Sequence, residues 1–217
     1  MSDTTLAEQT QKAMNDFMSG LPEQDQATIG GAFQRLMESA AGDKAVDVGD
    51  VMPDFNLPNA TGSVVNLSAL LQKGPVVINF YRGGWCPFCN LEFKALHEHL
   101  PEIQRYGATL IGIAPETPDT TLATIEKHDL KFEVLCDQGN QLAEKFGLVM
   151  MVDEAVRPLY EQWGLDIPAA NGDDSFKLPI PATYVVNMDG VVKAAYIDKN
   201  YTQRMEPSEI IKALENL

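Results

Sequence analysis

Apolar residues recur at three- and four-residue spacing in two stretches near the start of the chain. Leu6, Met14, Phe17, Met18 and Leu21 do so across 5–21, and Ile29, Phe33, Leu36, Met37 and Ala40 across 25–40. That period places each set on one helical face, so two amphipathic helices are expected. The Gly20-Leu21-Pro22 break separates them, and Gly42 with the polar run to Gly49 closes the pair. Residues 1–46 therefore read as a helical extension, packed on the rest of the chain, set between two subunits, or holding a docking role.

Beyond Val51 the texture changes. The segment 52–58, the Thr61-Gly62 turn and 63–67 suggest a small hairpin, followed by a brief helix that Ser68 could cap. Residues 75–81 form a continuous apolar run, as expected for a central strand covered on both faces. Phe88, Leu91, Ala95, Leu96, Leu100 and Ile103 then recur with helical period as far as Gly107, and 108–114 reads as a second buried strand. A helix over 119–129, a strand over 132–136 and a helix over 140–146 continue the alternation, which favours parallel strands. Residues 148–180, holding Pro158, Pro168, Pro179 and the Asn171-Gly172-Asp173-Asp174 cluster, are expected to be irregular around one short helix at 158–163. Strands at 182–186 and 191–197 flank the Asp189-Gly190 turn, and a last helix opens at Pro207. Residues 47–217 are read as one domain.

Composition narrows the function. The chain has 217 residues, 45% of them apolar, which suffices for a core without disulfides. Its formal charge of −15, with Lys and Arg never clustered, disfavours nucleic acid and anionic lipid as partners. The first thirty residues are polar and acidic, without a basic start or an apolar core, and no stretch approaches a membrane span, so a cytoplasmic location is expected. In a reducing compartment the close pair Cys86 and Cys89 is better read as catalytic or metal-binding than as a structural bridge.

The position of that pair favours catalysis. Cysteines that follow a buried strand and open a helix meet unpaired N–H groups and the positive end of the helix dipole, both of which favour a thiolate. Two intervening residues put the sulfurs within disulfide range on one turn, so a neighbour can resolve whatever the attacking sulfur forms. Pro87 fits the first helical turn, and Gly83-Gly84 permits an unusual strand-to-helix bend. A zinc site would need further ligands; Cys136, His97, His99 and His128 offer no paired spacing, and the histidines read as surface residues. Two inert buried thiols are the remaining alternative.

The segment 51–57, the run Asn79-Phe80-Tyr81-Arg82-Gly83-Gly84-Trp85-Cys86-Pro87-Phe88-Cys89, then Leu135-Cys136-Asp137 and Pro181-Ala182-Thr183-Tyr184-Val185-Val186 resemble the peroxiredoxin branch of the thioredoxin fold, the alkyl hydroperoxide reductase and thiol-specific antioxidant group. The resemblance covers roughly 48–216. It implies an α/β, thioredoxin-like fold with a central mixed sheet flanked by helices. Laid on the family pattern Pro-x-x-x-Thr-x-x-Cys, Arg82 falls on the proline, Cys86 on the threonine and Cys89 on the peroxidatic cysteine, and Glu92 matches a following glutamate. The family's peroxide-polarising arginine would fall at Pro181 and is missing there. Cys86, Cys89 and Pro181 are instead similar to the Cys-x-x-Cys and cis-proline of thioredoxins, which predicts a cis bond at Ile180-Pro181 as an alternative to a plain strand start.

Two registers follow from the resemblance. In the thioredoxin register Cys86 attacks and Cys89 resolves; in the peroxiredoxin register Cys89 attacks the peroxide and Cys86 condenses with the sulfenic acid. Arg82 is the nearest candidate cation for the peroxide and Arg204 a more remote one, with a solvated surface arginine the plainer alternative for either. Cys136 reads as a core bystander or a second resolving thiol, and Asp137 as a helix cap or an orienting carboxylate. The implied activity is hydroperoxide reduction through a Cys86–Cys89 disulfide, regenerated by a thioredoxin- or glutathione-like thiol donor, with no metal, flavin or other cofactor implied and a homodimer as the expected assembly. The alternatives are a protein disulfide reductase, since Pro-Phe between the cysteines is similar to the Pro-Tyr of glutaredoxins, and a redox sensor acting through the N-terminal helices.

Overall fold

The computed structural model describes residues 4–217. Helices α1 (Leu6–Ser19) and α2 (Glu23–Glu38) precede an antiparallel ribbon of β1 (Asn56–Pro58) and β2 (Val64–Asn66) and the short α3 (Leu67–Leu71). Then β3 (Val76–Phe80), α4 (Pro87–Arg105), β4 (Thr109–Ala114), α5 (Pro118–His128) and β5 (Glu133–Cys136) alternate. The chain continues through α6 (Gln141–Lys145), β6 (Val149–Met151), α7 (Arg157–Gln162), α8 (Ile167–Asn171) and β7 (Lys177–Pro179). It ends with β8 (Ala182–Val186), β9 (Val192–Ile197) and α9 (Pro207–Glu215).

The central sheet has the order β5-β4-β3-β8-β9. Its β3-β4 and β4-β5 pairs are parallel, while β3-β8 and β8-β9 are antiparallel. The alternating units gave the expected parallel half; the terminal hairpin docks on the other edge of β3 and makes the sheet mixed, as the resemblance implied. Every residue of β3 is buried because both faces are covered. Val77 and Tyr81 pack under α4 and α9 with Phe93, Leu96, Ile210 and Leu214. Val76, Ile78 and Phe80 point the opposite way, toward Leu67, Phe146 and Leu148.

Two local expectations need correction. The short α3 is capped by Asn66, whose side chain accepts from Ala69 N–H at 2.7 Å, and not by Ser68. Residues 148–180 are also more ordered than their composition suggests: β6 and β7 pair antiparallel, Met150 opposite Leu178, and α8 lies between α7 and β7. Strands of three residues joined across about thirty positions leave no periodicity for a local reading to detect.

The N-terminal hairpin lies on this frame. Thr5 and Glu8 form a capping box at α1, which packs against α4, and the Glu206 carboxylate accepts from the N–H groups of Leu6 and Ala7 at 3.1 and 2.8 Å. Leu6 and Ile29 are buried. Arg35 on α2 pairs with Asp153 at 2.6 Å, and Lys199 reaches Ser39 O and Asp43 beyond the helix.

Candidate active site at the strand-to-helix junction

Strand β3 delivers Tyr81 and Arg82 to a tight bend. Gly83 has φ +148°, and a Cβ there would fall 2.3 Å from Trp85 Nε1; one on Gly84 would fall 2.0 Å from Thr124 Oγ1. The bend is held by Cys86 N–H donating to Gly83 O at 3.1 Å, Asn90 Nδ2 donating to Gly84 O at 3.0 Å, and Gly84 N–H donating to the Glu116 carboxylate at 3.0 Å. Cys86 is the N-cap of α4, Pro87 opens its first turn, and Cys89 lies within that turn. Cys86, Cys89 and Cys136 are free, buried thiols.

The two sulfurs of the pair sit in opposite electrostatic states. Burial raises the Cys86 thiol, but the Cys89 thiol, the Arg82 and Arg204 guanidiniums and the Cys89 N–H outweigh it and bring it down to about 5. Burial and the Cys86 charge push Cys89 well above the ordinary thiol range. The arrangement favours negative charge on Cys86 and the proton on Cys89.

Two arginines frame the pair, and neither is solvated as a surface arginine would be: Arg82 is 3% exposed and Arg204 5%. Arg82 Nη1 is 4.0 Å from Cys86 Sγ, its Nη2 donates to Tyr160 Oη at 3.1 Å, and its Cζ lies 4.2 Å from the Tyr201 ring centroid and 5.1 Å from that of Trp85. Its Nε has no partner among the described residues. Arg204 Nε donates to Glu92 Oε2 at 2.7 Å and Nη2 lies 3.5 Å from Cys89 Sγ. Its Nη1 donates to the backbone carbonyls of Tyr201 and Gln203. A guanidinium is thus present beside the cysteines, although Pro181 occupies the place where the resemblance puts one.

Two buried carboxyls complete the site. Glu92 accepts from Asn79 Nδ2 at 2.8 Å and from Thr183 Oγ1 at 3.4 Å, besides its bond with Arg204. Burial outweighs those partners and lifts it to about 7. Glu116 takes Gly84 N–H on one oxygen and Tyr81 Oη, at 3.3 Å, on the other; burial lifts it to about 7 as well. Nothing in the sequence marks Glu116, which stands two residues past an apolar strand with no motif around it.

Cys86, Arg82 and Trp85 line a cavity of about 500 Å³; Cys89 is not part of its wall. Cys136 is buried, and its Sγ donates to Thr121 Oγ1 at 3.4 Å. Asp137 accepts from Leu142 and Ala143 N–H, both at 2.9 Å, and so caps α6. Pro181 is buried ahead of β8, but Ile180-Pro181 is trans, which corrects the expected cis bond. The chain runs straight from β7 into β8 there, with Ile180 N–H donating to Leu148 O at 2.5 Å as a continuation of the β6–β7 ribbon.

Peroxiredoxin Bcp of Escherichia coli is 32% identical over 100 residues, which cover 46% of this chain and 64% of the relative, so the match spans less than two thirds of that protein's length. Chloroplastic peroxiredoxin Q of Populus jackii is 28% identical over 173 residues, covering 79% and 70% of the two chains. Among solved structures, peroxidoxin BcpB from Mycobacterium tuberculosis superposes with a TM-score of 0.62 at 22% identity, covering 79% of this chain and 98% of its own, a likeness of fold. The AhpC/TSA family model matches residues 48–195, the greater part of the chain, and the protein belongs to the AhpC/TSA family.

Proposed function

We propose that the protein is a thiol-dependent hydroperoxide reductase in which Cys86 attacks and Cys89 resolves. The observation that carries this is the place of Cys86 on the cavity wall, 4.0 Å from Arg82 with Cys89 one turn away, in surroundings that lower the Cys86 thiol and raise that of Cys89. The Cys86 thiolate attacks the terminal peroxide oxygen and displaces the alkoxide; the S–O bond forms as the O–O bond breaks, sulfur keeps that oxygen as sulfenic acid, and the alkoxide takes a proton and leaves as an alcohol. Arg82, with an unpartnered Nε, supplies a donor for the charge that develops on the oxygens. Cys89 then surrenders its proton, condenses with the sulfenic acid, and forms the Cys86–Cys89 disulfide with loss of water. Glu92, linked to Cys89 through Arg204, is a carboxyl near neutrality placed to take part in that proton transfer. Two equivalents of an external thiol, thioredoxin- or glutathione-like, return both cysteines to the reduced state.

This assigns the attack to the residue that falls on the family's threonine, not to Cys89, because Cys86 meets the cavity and carries the charge. The reading includes a cytoplasmic location, where the thiols stay reduced, and a homodimer. The family match supports peroxide reduction over the protein disulfide reductase and sensor readings. Stopped-flow tryptophan fluorescence, with Trp85 as reporter, tests it. Fast oxidation by peroxide should survive in Cys89→Ser and vanish in Cys86→Ser; the reverse pattern transfers the attack to Cys89. Slow oxidation in both and in the parent, with rapid reduction of an insulin disulfide, would replace peroxidase by disulfide reductase.

A further inference from the structure

Resting on that peroxidase reading, we propose that Tyr160 is a further catalytic residue, the acid that gives its hydroxyl proton to the departing oxygen as the peroxide bond breaks. Attack by Cys86 leaves that oxygen with a full negative charge, and an alkoxide or hydroxide leaves poorly unless a proton reaches it in the transition state. Arg82 can hold the charge, but a guanidinium does not release a proton. The proton comes from another group on the cavity wall or from solvent.

The wall holds few side chains that could supply it. Ser39 Oγ donates to Leu36 O at 2.7 Å, and Asp153 is paired with Arg35 at 2.6 Å. Trp85 Nε1 is buried without a partner among the described residues, but an indole N–H only donates a hydrogen bond. Tyr201 offers Arg82 its ring face, and burial raises its hydroxyl to about 12. Glu92 and Glu116, the two carboxyls near neutrality, are not part of the wall.

Tyr160 is placed differently. Its Oη accepts from Arg82 Nη2 at 3.1 Å, while Nη1 of the same guanidinium lies 4.0 Å from Cys86 Sγ. A phenol oxygen that accepts keeps its own O–H to donate, and this one meets no acceptor among the described residues. Accepting from a cation also polarises that O–H toward donation. The ring is held between indoles, its centroid 6.1 Å from that of Trp85 and 5.8 Å from that of Trp163, and Leu159 beside it on α7 is buried. One guanidinium thus spans the sulfur and the phenol. A peroxide lying along Arg82 would meet the sulfur with its terminal oxygen and the phenol with the other.

The bonds and charges balance across that span. As the S–O bond forms and the O–O bond breaks, the departing oxygen keeps the electron pair. It then takes the Tyr160 proton, leaving a phenolate against Arg82. Phenols are stronger acids than alcohols or water, so the transfer runs downhill. The negative charge passes from one side of the guanidinium to the other, and Arg82 stays paired throughout. A solvent proton restores the hydroxyl.

The test follows oxidation of the reduced full chain by stopped-flow tryptophan fluorescence, comparing peracetic acid with hydrogen peroxide and tert-butyl hydroperoxide. Acetate leaves without a proton, whereas hydroxide and tert-butoxide need one. Tyr160→Phe keeps the ring and loses the hydroxyl, so it should slow the two hydroperoxides by roughly a hundredfold and raise the rate ratio of peracetic acid to either by about the same factor. Iodoacetamide, whose iodide also leaves without a proton, should alkylate Cys86 of the variant at the parent's rate, which checks that the fold and the sulfur are intact. On the parent chain, heavy water should slow the hydroperoxides and not peracetic acid. Equal slowing of all three peroxides by Tyr160→Phe, slowing of none, or an equal effect of heavy water on all three overturns the proposal and leaves the peroxidase reading standing. No oxidation of the parent by any peroxide overturns the peroxidase reading and the assignment of Tyr160 with it.

Discussion

Arg204 donates its Nε to the Glu92 carboxylate at 2.7 Å, with side chains 2% and 1% exposed, and turns Nη2 of the same guanidinium toward Cys89 Sγ. A buried pair of this kind gains little over an apolar pair of the same shape, but removing one partner strands the other charge. Its placement beside the cysteines makes it both a structural joint and the connection between a carboxyl and the Cys89 thiol.

Arg204→Ala should therefore destabilise the fold by about 3–5 kcal/mol, because Glu92 would be left buried and unpaired. The double variant Arg204→Met/Glu92→Met should recover much of that loss. Guanidinium denaturation of the three proteins checks both statements, and a double variant as unstable as the single one would contradict the pairing argument.

Alkylation of Cys86 by iodoacetamide should follow a profile that inflects near pH 5, far below an ordinary thiol at about 8.5. Arg82→Ala removes the nearest guanidinium and should move the inflection upward, cutting the rate at pH 6 by about tenfold or more. A profile unchanged by the substitution would remove Arg82 from the account of the thiolate.

Stability should respond to pH with contributions of opposite sign, those of the raised carboxyls Glu92 and Glu116 and that of the lowered Cys86 thiol. Glu116 is raised to about 7 in the folded chain, so its contribution is full below its unfolded value of 4.5 and is lost as pH rises through 7. Cys86 is lowered to about 5, so its contribution is full above the unfolded thiol value and is lost as pH falls through 5. Glu116→Gln should remove its own share of the carboxyl component. The stability difference between variant and parent should shift in the variant's favour, by on the order of 1–3 kcal/mol, between pH 4.5 and 7. Urea midpoints measured across that window test the sign.

Gly84→Ala should cost about 1–3 kcal/mol, since the new methyl would fall 2.0 Å from Thr124 Oγ1 and 2.8 Å from its Cγ2. Thr124→Ala in the same chain removes both atoms and should restore part of the stability. Thermal unfolding of the single and double variants measures the coupling.

Cys136→Ala should leave oxidation of the pair unchanged, because Cys136 is buried, bonded to Thr121 and raised by burial, and so is a poor nucleophile. Mass spectrometry of the oxidised chain should find the Cys86–Cys89 bond at the same yield. A fall in yield would bring Cys136 into the cycle.

Local order was set by local composition. The three-and-four spacing of 5–40 specified the hairpin helices, the apolar run ending at Tyr81 specified a strand covered on both faces, and the Gly-Gly bend with Pro87 specified a cysteine pair at a helix start. These features depend on near neighbours, and a residue's period or dihedral preference is legible one chain segment at a time. What the two cysteines face depended on packing. Arg204 comes to Glu92 from 112 positions away, Glu116 from 32 positions beyond Gly84, and α2 arrives to wall the cavity from well before β3. Both arginines had plain surface readings until burial, which arises between distant segments, removed their water and set their partners. The terminal hairpin likewise took its antiparallel place on β3, and β6 found β7, through pairings that carry no short-range period. Those long-range contacts gave the two cysteines opposite shifts, Cys86 down and Cys89 up, and put Cys86 on the wall of a cavity.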